Sequence, residues 1–478
     1  MHRIALLAAL LLTARLGAAE IRAMWVLPWS INTPEKVDAV IASALQAEQT
    51  DLMVEVRYRS DALYQTNRVP DAFPNPEPRS YIVEREGFDP LAYALGEGHK
   101  QNLRIHAWVV VFNATPLDKE LIADNYIYKN HPDWITYDKS GKRMSTSDQY
   151  GYFIDPGVPA AREYLLNVFC DLVSGYPELD GLHLDYIRYP NSSLGYHPVS
   201  LERFKDSGQE WNRWRISQVS GFVSELRQRT KALNHKLVLS AAVMADYDDA
   251  VRYNAQDWLS WLREGIVDYV YPMAYKLDRD DFGKEIDAMA ASGLQAGIVV
   301  GVRAWNGNGG SMLPKEGTEG YSILDVAERI KLIRDRGFAG ISLFSYDGLK
   351  MDDAISHLAG IAYAERTIAA LAFPERLSPS PEDSLKRGAD VMVIPTSTNY
   401  VLRLEIPIEG RWFWELKDGD ESLLYKRSRY FVQGSNEDYW NGILSDGTRL
   451  APGSYLLCLY KDRDPSEYVI PVQFEGLP

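Results

Sequence analysis

Glu178-Leu179-Asp180-Gly181-Leu182-His183-Leu184-Asp185-Tyr186-Ile187-Arg188-Tyr189-Pro190 is the stretch on which the reading of this chain turns. An acidic residue and a glycine open it, leucines alternate with His183 and Asp185, and polar groups crowd its far end. Strand side chains alternate between two faces, so Leu182 and Leu184 point one way while His183 and Asp185 point the other. Asp185 then stands at the carboxyl end of the strand. Taken alone it is either a structural carboxylate tied to nearby backbone amides or a group presented for chemistry.

The surrounding pattern sets the context. Before this stretch, Ile21–Ser30, Asp51–Arg57 and Leu103–Asn113 read as strands, and Thr33–Ala47, Phe88–Asn102 and Ala160–Gly175 as helices, with Pro34 just inside the first helix. After it come a long helix from about Trp211 to Leu233, then strands over Lys236–Asp246, Val267–Tyr275, Gln295–Asn306 and Gly337–Asp347. Helices over Asp257–Glu264, Asp280–Ala291, Ile323–Arg336 and Asp352–Leu371 separate and close them. Eight strands alternating with helices over roughly 350 residues predict an α/β fold, a (β/α)8 TIM barrel. An open doubly wound sheet fits less well, because no Gly-rich phosphate loop follows the first strand. The loops after strands two, three, four and seven are long, and long loops on one face build a cleft.

The ends of the chain differ from its middle. Arg3, the apolar run Ile4–Leu12 and Gly17-Ala18-Ala19 predict a signal peptide over residues 1–19, too short to span a bilayer. The mature chain is accordingly expected to be exported, periplasmic or extracellular, with no membrane span. The formal charge is −15; so acidic a chain is repelled by phosphate backbones, which argues against nucleic acid as a partner. Two cysteines, Cys170 and Cys458, give no disulfide framework and read as buried small hydrophobes. The barrel is expected over 20–372 and a Pro/Ser-rich linker over 373–387. From 388 to 478, short strands with turn signals predict a small all-β sandwich. Tyr439-Trp440-Asn441-Gly442, Asp446-Gly447 and Leu450-Ala451-Pro452-Gly453-Ser454-Tyr455 resemble the closing hairpin of immunoglobulin-like modules in flagellar hook-capping proteins and many secreted enzymes. Such a module is expected to be accessory, with a cell-wall or protein partner.

The predicted strand ends gather polar and aromatic groups at one rim. Strand two offers Glu55, Arg57 and Asp61; strand three His106, Trp108 and Asn113; strand four His183, Asp185, Arg188 and Tyr189. Asp246 ends strand five, Tyr271 and Tyr275 lie on strand six, Trp305 on strand seven, and Tyr346 and Asp347 on strand eight. Aromatic faces stack on sugar rings, Asp, Asn and Arg bond hydroxyls, and glycoside hydrolysis needs paired carboxylates. The recurrence at successive strand ends points to a saccharide cleft.

The segments carrying this constellation are recognisable. Val56-Arg57-Tyr58-Arg59-Ser60-Asp61-Ala62-Leu63-Tyr64, His106-Ala107-Trp108, His131-Pro132-Asp133-Trp134, Asp155-Pro156-Gly157, Asp180-Gly181-Leu182-His183-Leu184-Asp185-Tyr186 and Asp268-Tyr269-Val270-Tyr271-Pro272-Met273-Ala274-Tyr275 follow in order. Over about residues 20–370 the chain resembles the family-ten glycosyl-hydrolase-like group, which includes a division-associated peptidoglycan glycosidase. The resemblance implies an exported glycoside hydrolase acting on an amino-sugar polysaccharide, with peptidoglycan glycan strands as the expected substrate. Many members carry two adjacent aspartates where this chain has Asp185-Tyr186, and the final glutamate of the family-18 chitinase motif would fall on Ile187. That chitinase mechanism therefore does not transfer.

The expected mechanism makes Asp185 the general acid, its pKa raised by burial or by a neighbouring carboxylate. Asp246 is the first choice for the second carboxylate, because related polysaccharide-cleaving barrels place theirs there; Glu55, Asp155 and Asp347 remain open. Arg57, Asp61, Trp108 and Asn113 are expected to bind substrate, with Asp61 equally readable as a structural partner of Arg57. His183 is expected to orient Asp185 by hydrogen bonding. Retaining, inverting and substrate-assisted routes all stay open. Neither cofactor nor metal is expected, since a metal-dependent deacetylase would need a His-x-His on strand one, where the chain has Met24-Trp25-Val26-Leu27-Pro28-Trp29. A non-catalytic glycan-binding barrel is the remaining rival.

Overall fold

The computed structural model describes residues 20–362 and 391–475, apart from 84, 147–150, 307–311, 314–320, 351–353, 396–399, 407–409, 420–421, 432–433, 441, 445–447 and 462–466. The expected signal peptide and linker, and Asn441, Asp446 and Gly447 of the hairpin motif, lie outside the described residues. Eight strands form a closed parallel ring: β1 (Ile21–Val26), β2 (Asp51–Arg57), β3 (Arg104–Val110), β4 (Gly181–Asp185), β5 (Val238–Met244), β6 (Tyr269–Ala274), β7 (Val299–Arg303) and β8 (Gly340–Phe344). β8 pairs with β1 to close it. Helices after β1, β2, β4, β5, β6 and β7 begin on side-chain caps that satisfy first-turn amides, Thr33, Asp89, Glu210, Asp257, Asp278 and Ser322, whereas the helix Pro159–Gly175 before β4 starts on Val158 with no side-chain cap. Alternation with capped helices thus yields the predicted (β/α)8 barrel.

Several strands stop short of their predicted ends. The apolar pattern runs on past Val110, Met244 and Phe344, but ladder pairing does not, and those residues turn into rim loops. Asp246 instead caps the helix Tyr247–Asn254, and Tyr346 begins a short helix over Tyr346–Leu349.

Inward side chains fill the ring in layers. Near the amino end, His106 Nε2 meets Asp51 Oδ1 at 2.8 Å, and Arg104 bonds the other carboxylate oxygen at 2.7 Å. At mid-height, Trp25 Nε1 donates to His183 Nε2 at 3.0 Å, and His183 Nδ1 meets Ser240 Oγ at 2.9 Å. Trp25, Met53, Trp108, Ala242 and Tyr271 pack around them. Since Nε2 accepts from the indole, Nδ1 carries the proton and donates to Ser240. Burial, with a smaller contribution from His106, holds the His183 pKa well below the usual value, so the ring stays neutral.

Contacts divide the chain at Asp352/Asp353. The helix Ala354–Ala362, read from sequence as the last of the barrel, therefore groups with the C-terminal unit. There, β9 (Val391–Pro395), β10 (Tyr400–Ile406), β11 (Gly410–Lys417), β12 (Leu423–Phe431), β13 (Gly434–Trp440), β14 (Gly453–Lys461) and β15 (Glu467–Phe474) form two antiparallel sheets, ordered β13-β10-β9 and β12-β11-β14-β15. The sheets share one core, in which Tyr400, Leu402, Trp412, Trp414, Trp440 and Phe474 are buried. Both cysteines are buried and neither is in a disulfide. Among the described residues no helix is long and apolar enough to cross a membrane.

Gly181 opens β4 because nothing larger fits. A Cβ there would lie 2.1 Å from His106 Nδ1, so a side chain would displace the ring that bonds Asp51. Gly181→Ala is expected to lower stability by about 1–3 kcal/mol, read as a lower urea midpoint at unchanged slope. An unchanged midpoint would show that the histidine moves aside freely.

Candidate active site

The carboxyl-end rim is set by alternation along β2, β3 and β4. Glu55 pairs in register with Trp108, Trp108 with His183, and Val110 with Asp185, so inward residues of adjacent strands lie side by side. A bulge interrupts β2 between Glu55 and Arg57. A strict period of two would turn both inward. Beyond the bulge, however, Arg57 faces the helix layer, its guanidinium 5.6 Å from the Phe169 ring.

Asp185 is buried at the tip of β4. Its Oδ1 accepts the Tyr186 amide at 2.6 Å and its Oδ2 the Trp108 indole at 3.2 Å. Burial raises its pKa, offset in part by the Tyr186 amide, by Arg188 and Arg59, and by Trp108. Glu55 is also buried, and its carboxyl makes no hydrogen bond among the described residues. Burial pushes it up to about 8; Arg59 opposes the shift, while the charges of Asp185, Asp61 and Asp347 add to it. Asp61 is likewise pushed up to about 8, by burial first and by Glu77, against a bond from Ser80 and the charges of Arg57 and Arg59. Its Oδ1 is buried without a partner, as is Asp347 Oδ2, whereas Asp347 Oδ1 takes Ser30 Oγ and Lys350 Nζ, each at 2.7 Å. A buried oxygen left without a partner is a candidate acceptor for a ligand hydroxyl.

Aromatic rings floor the same rim. Phe344 stacks on Tyr275 with centroids 5.5 Å apart, meets Trp305 edge-on at 5.5 Å, and lies 6.3 Å from Trp108. Tyr275 is raised well above the usual tyrosine range by burial and by Asp185. Of the candidate residues, Glu55, Asp61, Trp108, Asp185, Tyr275, Trp305 and Asp347 therefore converge.

The others are engaged elsewhere or sealed in the interior. Asp246 is exposed, and its Oδ1 accepts the Asp249 amide at 2.9 Å as a helix cap. His183 bonds Trp25 and Ser240 rather than Asp185, and with His106 and Tyr271 it is buried inside the ring. Arg57 is fully buried, paired with Glu77 at 2.5 Å and bonded to the Val110 carbonyl, so it ties β2 to β3 and to the Pro-rich loop; Glu77, not Asp61, is its partner. Asn113 is fully enclosed, with neither amide atom partnered. Tyr189 lies buried under Arg215, 4.4 Å from its ring, and Tyr346 is buried beneath Lys350. Arg188 is buried over Tyr186, and its charge favours the ionised form of Asp185. Asp155, left open as a second carboxylate, is fully buried and takes Thr136, Ser200 and the Gly157 amide, which organises the loop after β3.

Tyr58, Arg59 and Phe344 join the site without having been singled out by the sequence. The Arg59 guanidinium lies 4.9 Å from the Tyr58 ring and 5.0 Å from that of Tyr186, with Nη1 buried and unpartnered. Arg59 and Ser60 have positive φ, 55° and 64°, so alternation carries no information past the bulge.

Residues 20–315 match the family described as Glycosyl hydrolase-like 10. The chain belongs to that family. Among its relatives, this Glycosyl hydrolase-like 10 chain is 26% identical over 249 residues to Glycosyl hydrolase YngK of Bacillus subtilis, covering 47% of this chain and 45% of the relative. It is 28% identical over 221 residues to Glycosyl hydrolase DigH of Escherichia coli K12, covering 41% and 48%. The chain thus matches under half the length of these curated relatives. The PgaB (BpsB) glycoside hydrolase domain of Bordetella bronchiseptica shares the fold, with a TM-score of 0.54 at 13% identity, covering 72% of this chain and 99% of that domain.

The elevated Glu55 pKa has a consequence for stability. Between the ordinary 4.5 and about 8 the folded chain keeps a proton that the unfolded chain has released. Stability contributed at this position therefore falls as pH rises through that window, by on the order of a few kcal/mol in total. Glu55→Gln is expected to raise the urea midpoint at pH 8 and to leave it nearly unchanged at pH 4. An equal change at both pH values would place the Glu55 carboxyl in water.

Proposed function

We propose that this chain is a glycoside hydrolase in which Glu55 and Asp185 are the working carboxylates, one proton being shared between them at neutral pH. The observation that carries the reading is the pair itself: two buried inward carboxyls on β2 and β4, within electrostatic reach of each other with Trp108 of β3 between the strands, one bonded to donors and the other with none among the described residues. Asp185 accepts two N–H groups and has Arg188 and Arg59 nearby, an environment that favours the ionised form. Glu55 has no donor among the described residues and carboxylates around it, which favours the protonated form. Proton donation to the glycosidic oxygen, expected from sequence at Asp185, is accordingly assigned to Glu55. Asp185 supplies negative charge to the oxocarbenium-like transition state. Membership in the Glycosyl hydrolase-like 10 family supports the reaction class.

For substrate we infer an amino-sugar polysaccharide, with peptidoglycan glycan strands first, supported by the ordered sequence motifs described above. The unpartnered oxygens of Asp61 and Asp347 offer acceptors to sugar hydroxyls, and the Tyr275–Trp305–Phe344 floor offers ring faces. The apolar run Ile4–Leu12 supports export. The C-terminal unit is read as an immunoglobulin-like accessory module, supported by its seven strands in two antiparallel sheets over one core. A deacetylase would need histidines free to hold a metal, and His183 already engages both ring nitrogens.

Leaving-group dependence separates the two roles. On peptide-free glycan strands, Glu55→Gln is expected to lower turnover by about 10²–10⁴-fold, and on an activated aryl glycoside, whose leaving group needs no proton, by far less. Asp185→Asn is expected to lose both activities. The reverse pattern would return the acid role to Asp185, and native protein releasing no reducing ends would remove the hydrolase reading.

A further inference from the structure

On the β1–β2 side of the rim, three aromatic residues belong neither to the core nor to the site floor. Trp29 sits in the turn Pro28–Ser30 after β1 and is 46% exposed. Its ring meets Tyr58 edge-on at 5.3 Å. Tyr81, on the Pro-rich segment after β2, is 53% exposed. Burial pushes its hydroxyl pKa up to about 12, with Tyr58, Asp61 and Asp118 adding to the shift. Large aromatics exposed together are uncommon without an occupant.

These residues are held in place. Asn32 Nδ2 donates to the Ile82 carbonyl at 3.0 Å, which ties the Trp29 turn to the Tyr81 segment. The Ser80 amide donates to the Ala62 carbonyl at 2.8 Å, which ties that segment to the loop after β2. Ser30 anchors the turn to Asp347, and Arg59 lies against the Tyr58 ring. The ridge also joins the site: Tyr58 directly follows β2, which carries Glu55, and its amide donates to the Asp61 carbonyl at 3.2 Å.

We infer that Trp29, Tyr58 and Tyr81 form a second sugar platform, distal to the cleavage point, which holds the same polysaccharide chain across the rim from Tyr275 and Trp305. This rests on the glycan reading proposed above. In a ring of eight strands β2 and β6 are diametrically opposed. The Tyr58 ridge and the Tyr275 floor therefore face each other across the opening, with Glu55 and Asp185 between them. A chain bound to both platforms presents an internal bond to the carboxyl pair, so cleavage occurs within chains rather than at their ends. Carboxylates beside the aromatic faces, Asp61 above all, suit a ligand that offers ring faces and hydroxyls together.

The test uses the full chain carrying Asp185→Asn, titrated calorimetrically with peptide-free disaccharide and hexasaccharide fragments of cell-wall glycan. The longer fragment is expected to bind more tightly, and adding Trp29→Ala or Tyr81→Ala is expected to remove about tenfold of that advantage. In the otherwise native chain the same substitutions are expected to shift early products of long strands toward terminal release. If the length advantage survives both substitutions, the platform is overturned while the hydrolase reading stands. If neither fragment binds and native protein cleaves nothing, the glycan reading falls and the platform with it.

Discussion

Closing eight parallel strands into a ring encloses every second side chain in a volume with little room for water, and each polar group inside must find its partner there. The bond from the Trp25 indole to His183, continued to Ser240, meets that constraint across β1, β4 and β5. It fixes the imidazole as a neutral tautomer and sets the inward face of β4. Asp185 follows two residues later on the same face, at the height where the ring opens. The chemistry of the rim depends on this packing below it.

The same constraint gives the rim carboxyls their unequal environments. Asp185 has an indole and a backbone amide directed at it, whereas Glu55 has neither. Two acids in one desolvated space with one set of donors will not ionise together, and the donors select which keeps its charge. With unbroken alternation Arg57 would point inward as a cation beside the pair. The β2 bulge turns it outward to Glu77, and Arg59, from the loop beyond, takes that position. A one-residue irregularity thus decides which arginine serves structure and which serves the site.

Much of this was legible in the chain itself. Strand and helix alternation and the period of two through Gly181–Asp185 were enough to predict a barrel with Asp185 at its carboxyl end, because these are local preferences that repeat. Gly181 could be quoted as part of a motif, but its reason, the His106 ring 2.1 Å from where a Cβ would stand, belongs to a neighbouring strand. Asp246 occupies a plausible strand-end position, yet the strand stops at Met244 and the residue becomes a helix cap. The helix at Ala354–Ala362 continues the alternation in sequence while its contacts lie with the C-terminal unit.

The sequence by itself determined the ring, its direction and the set of polar residues near its mouth, since each follows from short-range patterning. Only the tertiary structure decided which of those residues face the opening, which are sealed, and which carboxyl lacks a donor. Burial and hydrogen-bond partnership join strands that lie far apart in the chain: His183 and Trp25 are 158 residues apart, Asp185 and Trp108 are 77. A pKa is set by everything within a few ångströms, and no local pattern encodes that neighbourhood.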